Sequence, residues 1–477
     1  MAHSTQARAT ADQPPLARNR RELRESGYAS RSVKQELRGN LIRRLESGEP
    51  LFTGIVGYDQ TVLPQIENAL LSGQDIVFLG ERGQGKTRMA RSLVALLDPW
   101  MPAISGCEIN DDPFNPICRR CLDLVAEHGD QVEIDWIGRE RRYGEKLATP
   151  DITIADLIGE VDPIKVAEGR YLSDELTIHY GLLPRTHRGI FVLNELPDLA
   201  ERIQVGLLNV MEERDVQIRG YKVRLPIDVY VVASANPEDY TNRGRIITPL
   251  KDRFGSQIRT HDPRTIEHEM DIMEQERGTF ADEAYLTVVP QYMREIVAEV
   301  THLARRSPEI SQRSGVSVRV SVANYENLVS SALKRAIRLR EQQVAPRIAD
   351  LMVLAQSTTG KIEVETVGDR DDEKIVEKLV QRAVLNVFNR HFSLHEFDEL
   401  LVAFANGLRV DAGENLPSLD YVRQVAEVSG FSPAIRKLDG QGNPALIASA
   451  VEFVLEGLHL SKKLNKDRAP GQSKYRA

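Results

Sequence analysis

The stretch Gly80-Glu81-Arg82-Gly83-Gln84-Gly85-Lys86-Thr87 follows directly on the apolar run Ile76-Val77-Phe78-Leu79. Beyond it, Met89, Leu93, Leu96 and Leu97 recur at helical spacing, so the region reads as a strand, a tight turn and a helix. In that context the pattern GxxxxGK[ST] is a phosphate-binding loop. Gly80, Gly83 and Gly85 let the backbone turn its N–H groups inward, and the helix opening after them offers its positive end to phosphate oxygens. Lys86 is placed to reach the β- and γ-phosphates, and the Thr87 hydroxyl to ligate Mg2+. An ordinary glycine turn would not need a buried strand before it and a helix after it.

The rest of the chain sets limits on what such a loop can serve. Its 477 residues suffice for about three domains, and 41% hydrophobic with 28% charged residues describe a globular chain. A formal charge of −8 gives no reason to expect nucleic-acid binding. No apolar run approaches the roughly 18 residues of a membrane span, and the polar, arginine-rich N-terminus argues against a secretory leader. With Cys107, Cys118 and Cys121 as the only cysteines, a disulfide framework is not expected and a cytoplasmic location fits.

Upstream of the loop, residues 1–30 carry few large apolar side chains and read as disordered. A helix is expected within 31–50, with Val33, Leu37, Leu41 and Leu45 four apart and a Ser32/Gln35 capping box. Arg38, Arg43 and Arg44 lie off that stripe as a solvated face. Pro50 to Gly57 is a short apolar linker ahead of a further helix, Gln60 to Leu71.

Downstream, an irregular region holds the three cysteines. The CxxC spacing of Cys118 and Cys121 suits two thiolates on one Zn2+, with Cys107 and His128 completing a tetrahedral set. Reduced buried thiols are the other reading. The segment 143–189 then reads as an insertion: a short helix around Ile154, Leu157 and Ile158, followed by strand-like runs at Arg170 to Leu172 and Leu176 to His179.

Gly189 to Leu193 is a buried parallel strand whose C-terminal end delivers Asn194 and Glu195 to the crevice where ligands bind in open α/β sheets. An ATPase wants an Asp-Glu pair here, one carboxylate for Mg2+ and one to activate water. Glu195 is therefore the candidate base, and Asn194 removes one negative charge from the Mg2+ site. Helix Ala200 to Arg214 and a hairpin around Gly220 follow. A further buried strand, Val229 to Ala233, ends near Asn236, placed to hydrogen-bond the γ-phosphate and the attacking water.

Together these elements resemble the AAA+ ATPases, and within them the magnesium-chelatase ATPase-subunit and MoxR-like group. The residues that carry the resemblance are GERGQGKT at 80–87, THRGIFVLNELPDL at 186–199, LLNVMEERDVQIRGYKV at 207–223, VVASANPED at 231–239, PLKDRFG at 249–255 and GVSVRVSVANY at 315–325. The resemblance implies an α/β fold: a P-loop parallel sheet with helices on both faces over 51–262, including the insert and the hairpin. An α-helical lid over 263–368, a helical C-terminal module over 369–460 and a basic, disordered tail over 461–477 complete the expectation. It further implies that Ile55 and Val56 pack against adenine, that Asn236 is the first sensor and that Arg319 is the lid's sensor arginine. Arg253 would be a finger reaching a neighbouring subunit's ATP. ATP and Mg2+ as cofactors, a ring, expected as a hexamer, and a partner bearing a von Willebrand A domain are implied as well. Asn194 departs from the family's acidic pair.

Three functions are compatible with this sequence. One is a ring ATPase that remodels a partner or drives metal insertion by a partner subunit. A second is a nucleotide-binding scaffold with weak hydrolysis, motivated by Asn194. The third is an AAA+ transcriptional activator, but the only FTG triplet, Phe52 to Gly54, precedes the loop instead of lying between the nucleotide motifs.

Overall fold

The computed structural model describes residues 13–161, 177–213, 215–217, 224–236, 245–278, 285–311, 315–364, 369–426, 428–469 and 471–477. The chain divides into two compact units, Met1–His261 and Asp262–Ala477.

The first unit is built on five parallel strands: β1 (Ile76–Leu79), β2 (Tyr143–Leu147), β3 (Gly189–Asn194), β4 (Val229–Ala235) and β5 (Ser256–Arg259), in the spatial order β5-β1-β4-β3-β2. Every residue of β3 and β4 is buried. Alternation sorts their side chains onto two faces. Ile76, Phe78, Ile190, Val192, Tyr230 and Val232 join one core with the helices Val33–Ser47 and Leu63–Leu71. Val77, Phe191, Leu193, Val231 and Ala233 join the other, with helix Glu201–Glu213. Burial on both faces is why these strands read as continuous apolar runs. The parallel sheet with helices on both faces matches the fold class the sequence implies.

The N-terminal helix Val33–Ser47 has the expected capping box between Ser32 and Gln35. Its buried face also carries Glu36, which forms a two-pronged ion pair with Arg142 at 2.7 and 2.5 Å, deep in the unit. Two of its arginines serve the fold: Arg38 donates to the Leu71 carbonyl and Arg44 to that of Leu51. The disorder expected over 1–30 is not what the structure shows for 13–30. Arg20–Glu25 is a helix with Leu23 buried, and the Arg18 carbonyl and Arg20 N–H bond Ile134 and Val132, anchoring the segment by its backbone.

Before β2, Trp100–Ile104 pairs antiparallel with Ile134–Gly138, enclosing helix Arg119–His128. Within the insertion, helix Ile154–Leu157 forms as expected and Gly159–Val161 pairs with Ile178–Tyr180. The strand expected at 170–172 lies outside the described residues. Asp215–Gln217 pairs with Arg224–Pro226, the two arms of the expected hairpin, whose turn around Gly220 is also outside them.

The second unit is helical. Helices Ile266–Glu276, Gln291–Ala304 and Arg319–Leu339 fall where the lid was expected. They share one apolar core with Asp369–His391 and Pro444–Leu460, with Tyr292 stacked on Phe453 at 4.5 Å. The tail is ordered, contrary to its composition. Asn465–Ala469 and Gln472–Arg476 form a hairpin, which Val410–Ala412 extends to three strands. Two side chains explain its docking: Tyr475 is buried and donates to Glu456 at 2.5 Å, and Lys466 reaches the same carboxylate at 2.7 Å, while Lys462, Lys463, Arg468, Lys474 and Arg476 are exposed. Among the described residues no helix is long and apolar enough to cross a membrane.

Candidate nucleotide site

The phosphate-loop candidate sits at the tip of β1. Gly83 and Gly85 have φ of 81° and 71°, a conformation that glycine adopts without steric cost. At Gly80 the constraint is space: a Cβ there would lie 1.9 Å from Thr260 Oγ1 and 2.4 Å from Gln84 Oε1. Those two atoms fix the loop, because Gln84 Oε1 accepts from the Thr260 hydroxyl at 2.6 Å and from the Glu81 N–H at 3.0 Å. The Tyr58 hydroxyl, just past the linker, reaches the carbonyls of Gln84 (3.0 Å) and His261 (2.7 Å). Ile55 and Val56 are half-buried, Ile55 against the same core, and Arg82 is exposed at the loop tip.

Lys86 is buried, with its ammonium donating to the carbonyls of Gly80 and Glu81 (2.7 Å) and to Asn236 Oδ1 (2.7 Å). Asn236 passes the contact on, its Nδ2 donating to Glu195 Oε2 at 2.6 Å. A lysine can only donate and a carboxylate only accept, so the amide orientation is fixed by its neighbours. Lys86, Asn236 and Glu195 thus form one hydrogen-bonded row across the tips of β1, β4 and β3.

Glu195 holds a left-handed backbone, φ 54° and ψ 48°. That conformation costs a non-glycine residue about 1–2 kcal/mol. It is retained by the Glu195 N–H bond to Ser234 Oγ at 3.2 Å and by the turn of 3-10 helix Leu196–Asp198. Strain held by surrounding structure at a strand tip is a recurring mark of functional positions.

Asn194 is buried beside it. Its Oδ1 faces the hydroxyls of Ser234 (3.1 Å) and Thr87 (3.4 Å), and its Nδ2 donates to Glu145 Oε1 at 2.7 Å. Glu145, on the neighbouring β2, also accepts from Arg91 at 2.8 and 3.0 Å and from the Tyr143 hydroxyl at 2.8 Å. Burial works to raise the Glu145 pKa, but the Arg91 guanidinium and the Tyr143 hydroxyl outweigh it and hold the carboxyl below the usual range. Sequence reasoning missed this acid, because YGEKL matches no motif and shows its place only once β2 is paired with β3.

The donor set fits Mg-ATP. An ammonium and loop N–H groups suit phosphate, while the Thr87 hydroxyl and the Asn194 carbonyl oxygen are hard oxygen ligands of the kind Mg2+ prefers.

The remaining predicted residues belong to other elements. Arg253 ends helix Thr248–Arg253 and pairs with Glu212 (2.6 Å) and Asp252 (3.0 Å), the surface ion pair that competes with a finger role. Arg319 is exposed at the first position of helix Arg319–Leu339 in the second unit. The zinc expectation needs one change. Cys107, Cys118 and Cys121 do converge, but their fourth neighbour is Asp111 and not His128. His128 ends its helix with a half-exposed ring beside Glu127, at the far end from Cys118 and Cys121.

Parts of the chain are similar to known proteins. Residues 168–253, which include β3, Glu195, β4 and Arg253, match the sigma-54 interaction domain family. The chain is 28% identical over 250 residues to the magnesium-chelatase 38 kDa subunit of Acidiphilium rubrum, covering 50% of this chain and 66% of that protein. It is 30% identical over 255 residues to the chloroplastic magnesium-chelatase subunit ChlI of Oryza sativa subsp. japonica, covering 49% of this chain and 55% of that one. The chain thus spans about two thirds and about half the length of these two relatives. Among solved structures, a model of the BchI–BchD complex of magnesium chelatase aligns over 66% of this chain and 94% of that one, at 19% identity and a TM-score of 0.33.

Proposed function

We propose that this AAA+ chain, a relative of the magnesium-chelatase subunits, binds and hydrolyses Mg-ATP at Gly80–Thr87 and uses the turnover to remodel a partner. The observation that carries the reading is the row Lys86–Asn236–Glu195. It gathers a phosphate-binding cation, a polar sensor and a carboxylate at the tips of three adjacent strands, where an in-line attack on a γ-phosphate needs them.

In this reading Lys86 turns from the loop carbonyls to the phosphates. Thr87 and Asn194 offer oxygens to Mg2+, which when bound neutralises charge between the β- and γ-phosphates. Glu195 orients and deprotonates the attacking water, and Asn236 holds that carboxylate in line. Ile55 and Val56 pack on the adenine. Arg253 acts on a neighbouring subunit's nucleotide in a ring, a hexamer by resemblance, and Arg319 reads the nucleotide from the lid at 263–368. A protein with a von Willebrand A domain, or a metal-inserting partner subunit, is the client this resemblance suggests.

The weak-hydrolysis scaffold keeps one observation in its favour, the neutral Asn194. Against it stands Glu145, which returns a negative charge to the same corner. Phosphate release from ATP by the purified chain separates the two. Turnover that needs Mg2+ supports the ATPase, and tight ATP binding with no release above background supports the scaffold.

A further inference from the structure

Away from the nucleotide site, the chain between the antiparallel strands Trp100–Ile104 and Ile134–Gly138 folds around a small buried cluster. Cys107 lies in the turn after the first strand. Cys118 caps helix Arg119–His128 and Cys121 sits in its first turn, and three-residue spacing puts both thiols on one face. One ligand atom each from Cys107, Asp111, Cys118 and Cys121 falls within 4.8 Å of all the others. Thiolates bound tetrahedrally to one zinc at 2.3 Å stand about 3.8 Å apart, so this set needs only a small contraction to hold an ion.

Asp111 is what distinguishes the cluster from a pocket of buried thiols. It has no solvent exposure. Its Oδ2 accepts from the Cys118 N–H at 2.9 Å, but its Oδ1 is buried with no hydrogen-bond partner among the described residues. A buried carboxylate oxygen without a partner is unfavourable, and packing of three thiols gives no reason to put one there. A cation between Asp111 and the sulfurs supplies the missing partner.

We propose that Cys107, Asp111, Cys118 and Cys121 bind one Zn2+ as a closed structural site. Three thiolates with one carboxylate are too soft a set for Mg2+ or Ca2+, which take oxygen ligands. A multi-iron cluster would spread its thiolates around several metals, whereas these four atoms converge on one point. All four positions are filled by protein, which marks a structural site and not a catalytic one. The surroundings show what it would hold. The next residue, Asp112, accepts from the Ser30 hydroxyl at 2.9 Å and pairs with Arg188 at 3.3 Å, and Arg188 reaches the Pro102 carbonyl at 2.7 Å. The site therefore stiffens the loop through which the N-terminal segment is fastened to the entrance of β3.

The test is elemental analysis of the full chain purified without chelator, followed by replacement of zinc with Co2+. About one zinc per chain, released by a thiol-specific mercurial, is expected, and the Co2+ form should show thiolate charge-transfer and tetrahedral visible bands. Asp111→Asn should weaken binding on the order of tenfold or more. Asp111→Cys should keep the metal with a shifted Co2+ spectrum, which guards against a variant that fails merely by misfolding. Protein free of zinc that also takes up neither Zn2+ nor Co2+ stoichiometrically would overturn the proposal. So would Asp111→Asn and Asp111→Cys forms with wild-type affinity and spectrum.

Discussion

The Asn194 side-chain amide donates a 2.7 Å hydrogen bond to the Glu145 carboxylate, which turns the Asn194 oxygen toward Thr87. The negative charge that an aspartate would bring to position 194 is thus found one strand away, acting through the asparagine. A charged neighbour polarises the amide and makes its oxygen a better acceptor for a cation or its water. Glu145→Gln is expected to raise the Mg2+ concentration for half-maximal ATP turnover about tenfold. Asn194→Asp alone sets two carboxylates against each other and should impair turnover, and adding Glu145→Gln should restore it. A Mg2+ titration of the three variants decides, and faster turnover by Asn194→Asp alone would show that Glu145 is not the compensating acid.

Arg253 is held by Glu212 at 2.6 Å within its own chain, so a role in catalysis requires it to leave that pair for a neighbour's nucleotide. Arg253→Ala and Lys86→Ala chains should each be inactive. Mixed, they should regain partial activity, because some interfaces then combine an intact loop with an intact finger. Absence of recovery in a mixture that still assembles would assign Arg253 to the surface pair alone.

The buried pair of Glu36 and Arg142 ties the N-terminal helix to the sheet. Arg142→Met should lower unfolding free energy by about 3–5 kcal/mol, since it leaves Glu36 charged and buried without its counter-ion, with only the Asp98 N–H still donating to it. The double variant Glu36→Gln/Arg142→Met should recover much of the loss. Denaturant unfolding of both measures it, and equal losses would mean that the arginine acts through packing and its bonds to the Arg188 carbonyl, not through the Glu36 charge.

His187 is buried, and burial first, with Arg188 beside it second, pushes its pKa down to about 3. Its Nδ1 accepts from the Asp228 N–H at 2.9 Å, as a neutral ring can. The unfolded chain takes up this proton below about pH 6.5, but the folded chain does not until about pH 3. The stabilisation is therefore complete above about pH 6.5 and lost as pH falls toward 3. Between pH 7 and 5 wild type should lose about 2 kcal/mol more than His187→Gln, read from urea midpoints. Parallel losses would show that the ring is protonated in the fold.

What the sequence disclosed and what it hid follow from the range of the forces involved. The loop and strands β3 and β4 were legible because a buried parallel strand is a contiguous apolar run with its polar residue at the tip, as in Phe191 to Glu195. Glu145 was hidden since its strand, on the sheet edge, carries mixed residues and gains its meaning from the register with β3. Asp111 was hidden in a turn-like run, Asn110-Asp111-Asp112-Pro113, and the metal-ligand rule pointed to the more familiar histidine. Composition misread the C-terminal hairpin, most of whose basic residues face water while Tyr475 and Lys466 both anchor it on the buried Glu456.

The most direct test of the central claim is to measure ATP binding and ATP turnover side by side in wild type and Glu195→Gln. The row Lys86–Asn236–Glu195 predicts that the variant binds ATP as tightly as wild type while phosphate release falls by about 10²–10⁴-fold. Turnover unchanged in Glu195→Gln would contradict the assignment of the base, and with it the account of how this site works.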